Sequence, residues 1–197
     1  MTATTAGPDN PATPSESWQQ DLLEIARQTL DLYITTAMMP VVPPVTGRLA
    51  EQAAVFVTLR VRDPHPDIEE ELRGCVGQIE PRLPLVEAVQ DATIQAATAD
   101  PRFPPVRESE LPGLRIEISI LSPMWLVTDL AQIEIGRHGL LIAGLGRRGL
   151  LLPSVATQYG WDQREFLRGL STKAGLPGDA WPERAELYAF TTQHLSE

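Results

Sequence analysis

Cysteine is nearly absent: the 197 residues contain one, Cys75. A single thiol excludes an intramolecular disulfide and any zinc site built from several cysteines. Histidine is also scarce. The three present, His65, His138 and His194, lie far apart, with no pair at the i,i+3 or i,i+4 spacing that would share a helix face. Local pattern therefore proposes no metal site and no cofactor. Basic residues are outnumbered, 16 Lys+Arg against 26 Asp+Glu, giving a formal charge of −10. That balance disfavours non-specific binding to nucleic acid or to an anionic membrane, both of which need basic surface. No apolar run approaches the roughly 20 residues of a membrane helix. Met1 to Pro14 has neither the basic start nor the apolar centre of a secretory signal. Cytoplasm is the expected location.

With 43% hydrophobic and 21% charged residues, the rest of the chain has the composition of a globular protein. Residues 1–14, rich in Thr, Ala and Pro, offer no apolar face and are expected to be a disordered tail ahead of one domain over 15–197. Ser17-x-x-Gln20 reads as a capping box. Trp18, Leu22, Ile25, Ala26, Leu30 and Tyr33 follow at helical spacing, predicting an amphipathic helix over about 17–37. Residues 54–62 are β-prone, a loop follows at 63–67, and a second strand carries Cys75. The two are expected to pair antiparallel. Pro84-Leu85 opens a helix that ends at Asp100-Pro101. Residues 114–121 alternate, with Ile116, Ile118 and Ile120 toward the core and Arg115, Glu117 and Ser119 away from it. Two short strands flank residues 144–149, Pro153 opens a short helix closed by Gly160, and Asp162 caps a helix ending at Gly175. A last strand covers 185–194. Strands and helices without strict βαβ alternation predict an α+β fold with a mixed, largely antiparallel sheet and flanking helices.

Gly144-x-Gly146-x-x-Gly149 matches the dinucleotide-binding fingerprint by letter. That chemistry needs a helix N-terminus directly afterwards to meet the pyrophosphate, and here Leu150-Leu151-Leu152-Pro153 follows. A hairpin turn accounts for it better.

The stretch with chemical content is Leu72-Arg73-Gly74-Cys75-Val76-Gly77. A guanidinium beside a thiol favours the thiolate, the form that attacks electrophiles. Two glycines in one strand indicate that a ligand or another backbone approaches there. The plainer reading is that Cys75 packs as a small hydrophobe. Glu117, on a central strand, needs a partner, for which Arg73 is a candidate. Arg102, in the proline-rich loop after the second helix, either grips an anionic ligand or ties its loop to a carboxylate. Lys173, in a helix's last turn, is explained by the helix dipole.

Six blocks in order resemble one family, the AMMECR domain: the Leu72–Gly77 stretch, Asp100-Pro101-Arg102-Phe103-Pro104-Pro105, Ile116 to Ser122, Gly136-x-His138-Gly139, Leu151-Leu152-Pro153-x-Val155-Ala156, and Lys173-Ala174-Gly175-Leu176. Tyr188-Ala189-Phe190-Thr191 resembles the bacterial and archaeal branch, whose members include the A proteins of AmmeMemoRadiSam systems. The family usually has isoleucine where Val76 stands. The resemblance implies one α+β unit of a larger and a smaller lobe with a cleft between them. It implies a setting, a modification or redox pathway shared with a Memo-like protein and a radical-SAM protein, rather than a reaction. The resulting expectation is a small-molecule cleft with Cys75, Glu117 and His138 as catalytic candidates and Arg73, Gly74, Gly77 and Arg102 as ligand-binding candidates. The rival expectation is a non-catalytic adaptor for those two partners.

Overall fold

The computed structural model describes residues 17–62 and 70–197. The expected tail, the loop over 63–67 and His65 lie outside the described residues. Helix α1 spans Ser17–Thr36 and α2 Leu85–Thr98. The strands are β1 (Ala54–Val61), β2 (Glu71–Gln78), β3 (Leu114–Leu121), β4 (Trp125–Leu126), β5 (His138–Gly144), β6 (Arg147–Leu151) and β7 (Ala185–Ser196), with α3 (Pro153–Tyr159) and α4 (Gln163–Ala174) between β6 and β7. Ser17 is the first helical residue of α1, so the cap position falls outside the described residues.

The sheet order is β2-β1-β3-β7-β5-β6, with β4 added on β7, and the described pairings are antiparallel. Strand β7 belongs to both halves: Thr192 to Ser196 pair with β3, while Ala185 to Thr191 pair with β5. Two cores result. In the larger lobe, Leu22, Ala26 and Leu30 of α1 and the inner face of α2 cover Val55, Val57, Leu59, Ile116, Ile118 and Ile120. In the smaller lobe, Phe166, Leu167 and Leu170 of α4 cover Leu140, Ile142, Leu187 and Ala189. The opposite, concave faces of the two halves meet across Phe56, Leu121, Leu141, Leu150 and Phe190.

The caps expected for α4 are present. The Asp162 side chain accepts the Glu165 N–H, and Gly175 takes the left-handed conformation (φ 67°). The glycine-rich stretch is a hairpin, as expected. Leu145 and Gly146 (φ 51° and 71°) form a two-residue turn between β5 and β6, a conformation matching the twist of the flanking strands. No helix among the described residues is long and apolar enough to cross a membrane.

Candidate functional site

Strand β2 is an edge strand, so one row of its backbone groups lacks a neighbouring strand. The loop after α2 replaces that neighbour. Asp100 Oδ2 accepts the Cys75 N–H (2.8 Å), and Arg102 donates to the Cys75 carbonyl (3.3 Å). Arg102 also holds Asp100, Nε to Oδ1 at 2.9 Å and Nη2 to Oδ2 at 2.7 Å. Asp100 is buried, and the Arg102 hydrogen bond together with the backbone N–H groups of Cys75 and Arg102 holds its carboxyl well below the usual carboxylate range. The Asp-Pro-Arg-Phe block thus caps the edge of the cysteine strand. Arg102 serves the carboxylate and stays more than half exposed on that edge.

On the concave face, Cys75 stands opposite Thr58 of β1, which stands opposite Glu117 of β3. The Thr58 hydroxyl donates to Cys75 Sγ at 3.3 Å. Cys75 is partly buried. Lys173, in the last turn of α4, comes from the other lobe into electrostatic range of both Cys75 and Arg102. Desolvation pushes its pKa down, the charge of a Cys75 thiolate opposes that, and Arg102 pushes it down further. The helix dipole is therefore an incomplete account of Lys173. Nothing in the spacing of the sequence connects Lys173 to Cys75; the closing of one lobe on the other does.

Two expectations about Arg73 are corrected. Arg73 does not pair with Glu117. The β1–β2 register shifts between Leu59 and Arg60, opposite Gly74 and Leu72 respectively, so Arg73 is the extra residue of a bulge. Its guanidinium instead grips Glu110, at 2.7 and 3.2 Å, and lies 6.0 Å from the Phe103 ring centroid. Glu117 pairs with Arg60 (3.0 Å) and Arg115 (2.6 Å). The cations in electrostatic range of Cys75 are instead Arg102, itself paired with Asp100, and Lys173.

The two glycines are explained by protein contacts. A Cβ on Gly74 would lie 2.1 Å from the Ala96 carbonyl oxygen of α2, and one on Gly77 would strike Phe56. Of the two alternatives left open by the sequence, protein is what approaches. His138 is not brought to the sulfur. It lies on β5, four places along the sheet from β2, and alternation puts it with Leu140 and Ile142 on the face away from Cys75. There its ring meets Trp125 edge-on at 5.1 Å, and Nδ1 accepts the Glu134 N–H at 3.1 Å. Among the described residues no three His, Cys, Asp or Glu side chains gather as a metal site would require.

A family model described as AMMECR1 matches residues 23–195. The chain belongs to the AMMECR1 family. Protein MK0488 of Methanopyrus kandleri is 45% identical over 185 residues, which cover 89% of this chain and 86% of that protein. Protein MJ0810 of Methanocaldococcus jannaschii is 46% identical over 154 residues, 75% and 74% of the two chains. Among solved structures, the crystal structure of the uncharacterised protein PH0010 from Pyrococcus horikoshii superposes with a TM-score of 0.84 at 39% identity, covering 92% of each chain. The AMMECR1 fold, α+β with a curled antiparallel sheet, is therefore the fold of this chain.

Proposed function

We propose that this AMMECR1-family chain acts through Cys75 as a nucleophile toward a small anionic substrate. The observation that carries the reading is what three separate elements bring to the partly buried Cys75: the Thr58 hydroxyl of β1 on its sulfur, Arg102 of the loop after α2 on its carbonyl, and the charge of Lys173 from α4. Two of these, Arg102 and Lys173, are cations within electrostatic range of Cys75. The same cations suit an anionic group on the incoming molecule. Addition of the sulfur to a carbonyl-type carbon forms an S–C bond and moves an electron pair onto oxygen. In this reading Lys173 and Arg102 take the charge that develops there. Glu117, opposite Thr58, is held by Arg60 of β1 and Arg115 of its own strand. In this reading a Memo-like protein or a radical-SAM protein is the pathway neighbour, as the sequence resemblance implies.

The test is the rate of Cys75 alkylation by iodoacetate relative to iodoacetamide in the native protein. The anionic reagent is expected to react faster, and Lys173→Ala is expected to lower the ratio about threefold, the scale of one partly screened charge. No labelling of native protein, or a ratio unchanged in both Lys173→Ala and Arg102→Ala, would remove the nucleophile.

A further inference from the structure

The concave face carries a second feature at the far end of the same strands. Ala54, Leu121, Met124, Leu141, Ala143 and the Tyr188 ring line a cavity of about 570 Å³ between the lobes. Its size and apolar wall are those of small-molecule sites, in which a few polar groups orient a mostly apolar ligand. It is separate from the thiol. On β1, Phe56 stands between Ala54 and Thr58, and its ring lies against Gly77.

The rim decides what fits. Arg48, Arg148 and the Glu80 carboxylate border the cavity. Arg48 pairs with Glu51 at 2.6 Å, whereas Glu80 serves both Arg148, at 3.2 Å, and Arg82. Three guanidinium groups thus share two carboxylates, leaving local positive charge on a protein of net −10. The Glu80 carboxyl is held below its ordinary range by Arg82 first and then Arg148, so it stays ionised and the surplus belongs to the arginines.

We propose that this cavity binds an elongated apolar small molecule ending in one anionic group, a carboxylate or its like. The apolar body lies over Leu121, Met124, Leu141 and the Tyr188 ring, and the head meets Arg148 at the mouth. Arg148 is exposed and shares its carboxylate with Arg82, so it has donor capacity to turn toward an incoming anion. The cavity has few polar groups with which to order water, so an apolar body replaces solvent there at little cost.

The test is calorimetric titration with octanoate, and with octanol as the uncharged control. Octanoate is expected to bind saturably at one site and about fivefold or more tighter than octanol, the margin of a single rim charge pair. Arg148→Glu is expected to erase that margin while leaving octanol binding in place. Ala143→Trp, which fills the cavity, is expected to abolish both. Saturating octanoate is expected to leave the rate of Cys75 alkylation unchanged. No saturable heat, equal affinity for acid and alcohol, a margin that survives Arg148→Glu, or protection of Cys75 would each overturn the assignment. Arg148 is a surface residue, so its variant decides even if Ala143→Trp fails to fold.

Discussion

At its Arg73–Cys75 end, strand β2 is closely held on every side. Ala96 of α2 presses on Gly74, Glu110 clamps Arg73, and Asp100 with Arg102 takes the outward backbone groups. At its Gly77–Gln78 end and just past it the same strand borders open space, a cavity of about 250 Å³ beside Gln78, Arg82 and Arg148 and the larger apolar one beyond it. Both ends carry arginine–carboxylate pairs, yet they differ in burial. Arg73 and Asp100 are each more than nine-tenths buried, while the Arg82 and Glu80 side chains are 74% and 48% exposed. Buried pairs leave a stranded charge when one partner is removed, whereas exposed pairs return both partners to water. The first end should therefore be stiff and intolerant, and the second tolerant and adaptable.

The largest effect expected is from Gly74→Ala. A methyl placed 2.1 Å from a helix carbonyl forces α2 off the sheet, and about 3 kcal/mol of stability should be lost in denaturant unfolding. A loss below about 1 kcal/mol would show that the helix yields easily, and the contrast between the two ends would fall. Glu110→Ala comes next. It strands the buried Arg73 guanidinium and should cost about 2 kcal/mol, discounted from a fully buried pair because Glu110 is partly exposed.

Asp100→Asn should cost a similar amount, about 2 kcal/mol, because an amide turns a donor toward the Cys75 N–H or the Arg102 guanidinium. It also supplies a pH test. Asp100 and Glu110 both have folded-state pKa values below their unfolded ones, Asp100 through Arg102 and Glu110 through Arg73. Their stabilisation is thus complete above the unfolded carboxylate value of about 4 and is lost as pH falls toward the folded values. Unfolding midpoints measured from pH 6 down to pH 2, about the acid range in question, should fall less steeply in Asp100→Asn than in the parent. The smallest effect expected is from Arg82→Ala at the open end, within about 0.5 kcal/mol. A larger loss would show that the rim is as rigid as the clamp.

Much of this architecture was legible because it depends on neighbours in sequence. The alternation of Ile116, Ile118 and Ile120 set the core face of β3, the caps Asp162 and Gly175 bounded α4, and the run after Gly149 ruled out a phosphate loop in favour of the β5–β6 hairpin. The two-residue strand Trp125–Leu126 was missed, since a segment that short has no period to read. The partners of Arg73 and Glu117 are not legible in the sequence for another reason. One bulged residue on β2 turns the Arg73 side chain toward Glu110, and a bulge depends on the pairing of two strands rather than on either strand alone.

The sequence by itself determined the family, the α+β class, the span of most elements and the cysteine strand as the place to look. Those follow from local pattern and from motif order along the chain. Tertiary structure alone decided which charges stand beside the sulfur, that His138 lies on the other face of the sheet, and that an apolar cavity opens where β2 ends. The reason is that side-chain direction within one element follows its fixed period. Proximity between elements depends on the curl of the sheet, which brings Lys173 into electrostatic range of Cys75 although nearly a hundred residues separate them.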